Sequence, residues 1–222
     1  MAPDRSSTRR PSTGSSSTAT AALAPPAPPA DPNTIALADE PEAARGVEGD
    51  AKLKGALLAA AKASGTMPTP AELGKQVSRI LAGREVRATL AAIEATGGKA
   101  IYVPCDVSDA EATAAALASV REQLGPITGL VHGAGVLADR FIADKTDDQF
   151  DFVFDTKVNG LRALLAATGE LEALVLFSSV AARGGNAGQC DYAMANEVLN
   201  KVAWQLSAKT FVKSLGWGPW EG

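Results

Sequence analysis

Two hydroxyl-bearing residues near the carboxyl end of the sequence have the spacing of a proton-transfer pair. Ser179 stands thirteen residues before Tyr192, within the stretch FSSVAARGGNAGQCDYAMAN of residues 177–196. Such a tyrosine can pass a proton to a carbonyl oxygen while a hydride adds to the carbon. Because a free phenol loses its proton only near pH ~10, the pair needs a nearby cation that favours the phenolate.

The cation is expected from a neighbouring helix. The fourth residue after Tyr192 is Asn196, where a lysine on the same helix would lie one turn away. Upstream, Lys157 lies in the segment TKVNG, on the predicted helix before the strand that carries Ser179. In a doubly wound fold these two helices are adjacent, so a long lysine side chain can reach the phenol. We therefore predict that Lys157 supplies the charge and that Asn196 takes the polar position left vacant.

The elements that must position these residues alternate between helices and short strands. Helices are predicted in LKGALLAAAKAS, after the capping box Thr69–Glu72, after a cap at Ser108-x-x-Glu111, and at about 147–168 and 191–207. Strands are predicted at 99–103, 127–132, 173–177 and 211–215. This alternation is typical of βαβ units. It predicts an α/β fold with a doubly wound, Rossmann-like parallel sheet and helices on both faces.

Polar or glycine-rich segments follow each predicted strand directly. Asp106 follows the first, the run Gly133-Ala134-Gly135 the second, Ser179 the third and the pair Trp217-Gly218 the fourth. In an open parallel sheet, ligands bind outside the carboxyl ends of the strands. The sequence therefore predicts one crevice along this edge.

Composition limits the classes of function. Of the 222 residues, 46% are hydrophobic and 21% are charged, which is typical of a soluble globular protein, and the net charge of −4 gives no basic footprint for nucleic acid. No apolar run approaches the ~20 residues of a membrane span. The two cysteines form no C-x-x-C motif and the single histidine leaves no zinc-ligand cluster, so no metal is expected. A reducing, cytoplasmic compartment is the expectation.

The amino-terminal segment has a different composition. Residues 1–34 are rich in Ser, Thr, Ala and Pro and contain almost nothing that could form a core, so they are predicted to be disordered. Their three arginines and many hydroxyls loosely match a plastid transit peptide, and a low-complexity linker is an equally good interpretation. The folded domain is expected over residues 35–222.

Four segments together resemble a known family. They are LVHGAGVLAD (130–139), TKVNG (156–160), LFSSVAARGGNAGQCDYAMAN (176–196) and WGPW (217–220). They resemble the ketoreductase domains of polyketide and fatty acid synthases, a branch of the short-chain dehydrogenase/reductase superfamily. This branch has Tyr-x-x-x-Asn with an upstream lysine in place of Tyr-x-x-x-Lys. Residues 69–109 are also similar to the ketoreductases of synthases that make polyunsaturated fatty acids.

The resemblance implies an activity and roles for the reacting residues. The activity is NADPH-dependent reduction of a 3-oxoacyl thioester, held on an acyl carrier protein within a larger synthase, to the 3-hydroxyacyl form. Tyr192 would be the general acid, Ser179 would polarise the substrate carbonyl, and Lys157 would bind the nicotinamide ribose and favour the phenolate. Asn196 would complete the polar relay.

The resemblance also implies cofactor-binding and stereochemical residues. Asp106, with Val107 beside it, would receive the adenine amino group. The glycines of the run Gly133-Ala134-Gly135 would let the backbone approach the cofactor ribose, and the pair Trp217-Gly218 would wall the nicotinamide pocket. Asp139 stands near the aspartate that marks one stereochemical class, and the position three before the tyrosine is Gln189 and not the tryptophan of the other class. These two residues imply a D-configured 3-hydroxy product.

Several of these residues have simpler interpretations. Asp106 could cap the turn that follows it. Trp217 and Trp220, which could wall the nicotinamide pocket, could also simply pack. His132 is better explained as a core or strand-end histidine than as a base, and Cys190 as a small buried thiol.

One expected motif is not found in the sequence. No G-x-G-x-x-G stands between a strand and a helix, although dinucleotide binding in this fold depends on such a turn. We therefore expect a partial ketoreductase domain that lacks the first glycine-rich βαβ piece and binds NADPH poorly by itself. The alternative function is a catalytically incomplete part that acts structurally within a larger synthase. A nucleotide-sugar enzyme of the same superfamily is disfavoured by Asn196.

Overall fold

The computed structural model describes residues 37–219, so the predicted disordered tail and Trp220 lie outside the described residues. A short 3-10 helix, Glu42–Ala44, precedes the first long helix. The helices are α1 (Asp50–Ser64), α2 (Pro70–Ala95), α3 (Ala110–Leu124), α4 (Asp147–Thr168), α5 (Ala181–Gly184) and α6 (Cys190–Leu206). The strands are β1 (Gly129–His132), β2 (Ala173–Ser179) and β3 (Phe211–Trp217). No helix among these is long and apolar enough to cross a membrane.

Helices α1 and α2 pack together around a small core of their own. The predicted capping box opens α2: Thr69 accepts from the Glu72 amide, and the Glu72 carboxylate accepts from the Thr69 amide. Buried apolar side chains join the two helices to the segment before them: Ala44, Leu53, Leu57 and Val77. Arg84 of α2 also forms an ion pair with Glu40, which precedes the 3-10 helix.

The sheet is parallel and its strands run in the order β1-β2-β3. On one face, Leu174 and Leu176 of β2 pack against Leu161 of α4 and against Leu199 and Ala203 of α6. These side chains alternate along β2 with residues of the other face, as the period of a strand requires. The predicted α/β class with an open, Rossmann-like parallel sheet is therefore confirmed.

The opposite face of the sheet carries no packed helix within residues 37–219. Val131 of β1 is 64% exposed and Phe211 of β3 is 61% exposed. The expectation of helices on both faces is therefore wrong for the part of the chain that the structure describes. The reason is that α4 and α6 share one core on a single side, while α3 packs against α4 and α5 against α6.

Two local predictions are also wrong. The strand expected at 99–103 does not form, because the apolar run meets no hydrogen-bonding strand among the described residues, and strand pairing is what defines a ladder. The cap of α3 is Asp109, whose carboxylate accepts from the amides of Glu111 and Ala112. Ser108 instead donates its amide and hydroxyl to Asp106.

Candidate active site

A cleft of about 960 Å³ opens at the carboxyl ends of all three strands. It is lined at the end of β1 by Gly133 and Gly135, at the end of β2 by Ser179 and Val180, and at the end of β3 by Trp217 and Gly218. Lys157, Gln189 and Tyr192 also line this cleft. Because parallel strands end on the same side, three segments distant in sequence meet at one place.

Lys157 points its ammonium group into this cleft from α4. The residue is buried, and its Nζ donates to the carbonyl oxygens of Phe177 at 3.0 Å and Ala134 at 3.3 Å. The same Nζ lies 5.7 Å from the centre of the Tyr192 ring. Burial lowers the pKa of Lys157 from 10.5 to about 8, because a charge is poorly solvated there. The structure thus brings together the lysine and the tyrosine that the spacing argument paired.

His132 holds α4 in place behind Lys157. It is the last residue of β1, it is buried, and its Nε2 lies 2.9 Å from the carbonyl oxygen of Lys157. Since a carbonyl only accepts, Nε2 carries the proton and Nδ1 does not. Among the described residues Nδ1 has no hydrogen-bond partner. Burial, aided by the positive charge of Lys157, lowers the pKa of His132, although the backbone contact opposes the shift. The interpretation as a core histidine fits, and its contact with the Lys157 backbone was missed.

Ser179 ends β2 with its hydroxyl at the cleft. Its Oγ accepts a hydrogen bond of 3.1 Å from the amide of Ala181, in the first turn of the short helix α5. Because that amide occupies an acceptor site of the hydroxyl, the Ser179 O–H can be donated into the cleft. This arrangement suits a group that polarises a carbonyl oxygen.

Tyr192 lies in the first turn of α6, and Asn196 lies one turn later. The Asn196 amide nitrogen donates to the Tyr192 carbonyl oxygen at 2.8 Å, while Asn196 Oδ1 is buried without a donor among the described residues. Asn196 is fully buried and lies behind the cleft wall, whereas Tyr192 lines the cleft itself. The Asn196 side chain therefore contacts the backbone of Tyr192 and not its phenol.

The predicted cofactor residues fall into two groups. Gly133, Gly135, Trp217 and Gly218 line the main cleft, and the Ala134 carbonyl binds the Lys157 ammonium. A Cβ on Gly135 would lie 3.2 Å from both Cε and Nζ of Lys157, so glycine makes room for the ammonium there. The Trp217 ring also contacts Phe177, with ring centres 5.7 Å apart.

Asp106 and Val107 lie outside the main cleft. Asp106 lines a smaller cleft of about 530 Å³ beside α4, and its Oδ1 accepts from the Ser108 amide and hydroxyl. The simpler interpretation, a carboxylate that caps its own turn, describes this oxygen. Val107 packs on α4, where a Cβ on Gly160 would lie 2.9 Å from its Cγ2.

Asp139 and Gln189 contact each other beside the cleft, which Gln189 lines. The Gln189 amide nitrogen donates to Asp139 Oδ2 at 2.9 Å, and Asn186 donates to the Gln189 side-chain oxygen at 2.9 Å. The Arg140 amide donates to the Gly188 carbonyl at 3.0 Å. These contacts join the loop after β1 to the turn before α6.

Sequence reasoning missed one buried ion pair beside this site. Lys145 Nζ lies 2.6 Å from Asp191 Oδ2, and Asp191 immediately precedes Tyr192. No local pattern could have paired them, because they stand far apart in the sequence and Lys145 lies outside the four segments that resemble the family.

Chemically, the main cleft gathers a phenol, a hydroxyl donor and a buried ammonium group. Such a set can bind a carbonyl oxygen, donate a proton to it, and hold a polar group near the ammonium. No group of carboxylates, thiols or imidazoles in residues 37–219 could hold a metal ion.

Comparison with known proteins gives consistent matches. The family described as KR domain matches residues 74–222. One component of the polyunsaturated fatty acid synthase of Thraustochytrium sp. is 50% identical over 166 residues, which cover 73% of this chain and 6% of that protein. The pikromycin polyketide synthase component PikAII of Streptomyces venezuelae is 41% identical over 133 residues, covering 58% of this chain and 4% of that protein.

A solved structure gives the same result for the fold. A crystal structure of an N-terminal ketoreductase from the macrolactin assembly line superposes with a TM-score of 0.58 and 35% identity, covering 62% of this chain and 30% of that one. The chain therefore spans only a small part of the length of these relatives.

Proposed function

Because this chain belongs to the KR domain family, within the short-chain dehydrogenase/reductase superfamily, we propose that it reduces 3-oxoacyl thioesters to their 3-hydroxyacyl forms. The observation that carries the proposal is the meeting of Lys157, Ser179 and Tyr192 in one cleft, with the Lys157 ammonium 5.7 Å from the phenol ring centre. These residues come from β2, α4 and α6. Their convergence supports a reducing site for a carbonyl group.

The residues of the cleft fit the nicotinamide–ribose end of a reduced dinucleotide. The buried ammonium of Lys157 is a donor for ribose hydroxyls, and Gly135 leaves the space beside it open. When bound, the cofactor supplies the hydride. Ser179 then donates a hydrogen bond to the substrate oxygen, and Tyr192 passes its proton to that oxygen. Lys157 favours the phenolate that remains, because opposite charges attract across this cleft. The proposed role of Asn196 is to hold the Tyr192 backbone in this position.

The finer features of the reaction rest on the family resemblance. We propose NADPH as the cofactor, an acyl chain held on an acyl carrier protein as the substrate, and other synthase domains as partners. We also propose that Asp139 and Gln189, which bind each other beside the cleft, direct formation of the D-configured product. Asp106 and Val107 would bind the adenine end, although the Asp106 oxygen that binds Ser108 is already occupied.

The experiment mixes the purified chain with NADPH and a 3-oxoacyl thioester and follows absorbance of the reduced nicotinamide. We expect substrate-dependent loss of absorbance, and a fall of about 10²–10⁴-fold in Tyr192→Phe, because the ring stays but its proton is lost. A matched control is Tyr102→Phe, which removes the chain's other phenol. An unchanged rate in Tyr192→Phe would remove Tyr192 from the mechanism.

A second function is supported by the uncovered face of the sheet. The exposure of Val131 and Phe211 favours a chain that completes its fold against another part of a synthase. In that case the chain alone binds no NADPH, and activity appears only when a glycine-rich strand–turn–helix segment is added in trans. Binding of NADPH by the chain alone would contradict this alternative.

A further inference from the structure

The buried ion pair between Lys145 and Asp191 joins two segments that border the cleft. Their side chains are only 4% and 1% exposed, and the charged atoms are 2.6 Å apart. Asp191 uses its second oxygen, Oδ1, to accept the amide proton of Tyr192 at 2.9 Å. The ion pair is therefore hydrogen-bonded to the backbone amide of Tyr192.

The lysine side of the pair fixes the loop after β1. Lys145 Nζ also donates to the carbonyl oxygen of Ala138 at 2.8 Å, and Ala138 immediately precedes Asp139. Lys145 itself immediately precedes Thr146, the cap of α4, which is the helix that carries Lys157. One ammonium group thus connects three structures: the segment 138–145, the start of α4 and the start of α6.

Two further contacts join the same segments. The Arg140 amide donates to the Gly188 carbonyl, and the exposed Gln189 side chain donates to Asp139. Gly188 has a φ of 81°, and a Cβ at this position would lie 3.5 Å from the backbone nitrogen of Arg140. Only the Lys145–Asp191 contact among these is both charged and buried.

Net stability does not by itself explain such a pair. Removing two charges from water has a large desolvation cost, and apolar residues of similar volume often serve stability as well or better. The pair can instead orient the groups that it joins, because each of its hydrogen bonds has a preferred angle and length. Here the directed bonds end at the Tyr192 amide and the Ala138 carbonyl, in two segments that border the cleft through Tyr192 and Leu137.

We propose that Lys145 and Asp191 are positioning residues, which hold the Tyr192 turn against the 138–145 loop and so set the orientation of a substrate carbonyl between the phenol and Asp139. The inference rests on the proposed reductase function and adds to it a determinant of rate and product configuration. Neither residue touches the reacting atoms.

The test compares two double variants that both remove the buried charges. Lys145→Met/Asp191→Asn deletes the donor of the pair, whereas Lys145→Gln/Asp191→Asn keeps a neutral donor and acceptor. Both retain an acceptor for the Tyr192 amide. For the Met/Asn variant we expect kcat to fall at least tenfold and the ratio of D to L product to decrease, with the Kd for NADPH within about twofold of wild type. The Gln/Asn variant should recover part of both losses.

The control is Lys201→Met, which breaks an exposed ion pair between Lys201 and Glu197 on the same helix. It should leave kcat and product configuration unchanged. If the Met/Asn variant keeps the wild-type kcat and product ratio, the positioning role is overturned. If it does not fold, the single variant Asp191→Asn takes its place. This variant keeps a donor and an acceptor but removes the attraction between charges, so we expect a smaller fall in kcat and in the product ratio, and wild-type values of both would overturn the positioning role.

A second readout separates this inference from the proposed function. Amide hydrogen exchange in residues 138–145 and 188–193 should rise more than tenfold in the Met/Asn variant, while exchange in α2 stays constant. If the wild-type chain shows no reductase activity, the proposed function fails. The exchange result still decides whether the pair holds the Tyr192 turn against the 138–145 loop. Unchanged exchange in both segments would overturn the inference.

Discussion

The ammonium nitrogen of Lys157 lies 5.7 Å from the centre of the Tyr192 ring, although the two residues belong to different helices. Two backbone carbonyls, of Ala134 and Phe177, hold the ammonium from behind. Phe177 lies near the end of β2 and Ala134 lies two residues after β1, so backbone at the ends of two strands binds the ammonium that α4 carries. The cation is therefore placed by the same strand ends that shape the cleft.

Cofactor affinity should depend on pH through Lys157. Its pKa in the folded chain is about 8, below 10.5, so the ammonium is present below pH 8 and is lost as the pH rises through 8. We expect NADPH affinity, measured by fluorescence titration, to weaken by up to about tenfold per pH unit above pH 8. Lys157→Arg keeps its charge, so its affinity should be lower but flat with pH. A wild-type affinity that stays constant to pH 10 would contradict this assignment.

Gly135→Ala should displace the ammonium without unfolding the protein. The new Cβ would lie 3.2 Å from Lys157 Cε and Nζ, so the flexible lysine end must move by a few tenths of an ångström. We expect the Kd for NADPH to rise severalfold with little change in melting temperature. Gly184→Ala is the matched control, because it lies in the same cleft and its Cβ would meet nothing within 4 Å. Equal effects of the two variants would count against the lysine contact.

Stability should fall in mild acid because of His132. Burial lowers its pKa from 6.5, so the folded state favours the neutral ring. The contribution to stability is present above pH 6.5 and is lost as the pH falls through the lowered pKa. We expect the urea midpoint to decrease between pH 7 and pH 5, and to decrease less in His132→Gln, which keeps a donor for the Lys157 carbonyl.

Between pH 7 and pH 5 the imidazole of His132 is the side chain expected to change its charge, since His132 is the chain's single histidine. The glutamates whose pKa is shifted by their partners, at positions 40, 72 and 197, are lowered and titrate in stronger acid. Identical pH dependence in wild type and His132→Gln would show that another group is responsible.

Gly160→Ala should destabilise the chain although alanine is the better helix former. In a solvated helix the change favours folding by up to about 1 kcal/mol. Here the Cβ would lie 2.9 Å from Cγ2 of Val107, and such overpacking costs about 1–3 kcal/mol. Chemical denaturation should show a net loss, and adding Val107→Ala should restore part of it. Gly55→Ala, a helical site with nothing within 4 Å, should be neutral or stabilising.

The helices and the cleft could be predicted because their signals are local or repeated. The periodic segment 147–168 matches α4 at both ends, and the capping box at Thr69 opens α2 as expected. The strand ends follow from the alternation of helices and strands, which also brings Ser179, Tyr192 and Lys157 into one cleft. Each of these signals lies within a single helix, a single cap or the order of successive elements.

The errors concern interactions that no local window contains. Whether residues 99–103 form a strand depends on a neighbouring strand, and whether a sheet face is covered depends on helices elsewhere. The Lys145–Asp191 pair and the His132–Lys157 contact both join elements that are distant in the sequence, so no short stretch of sequence shows that these residues meet. Asp109 and Ser108 are both good caps, so only the backbone geometry distinguishes them.

Since the phenol and the cation come from separate helices, the gap between them is set by interhelical packing and not by the rise of one helix. The side chains that pack between α4 and α6 include Leu161 and Leu199, which are buried beneath the cleft. A methylene gained or lost in that layer would change the distance between the Lys157 ammonium and the Tyr192 ring. Repacking this interior is thus a route for tuning the chemistry without touching a single polar group.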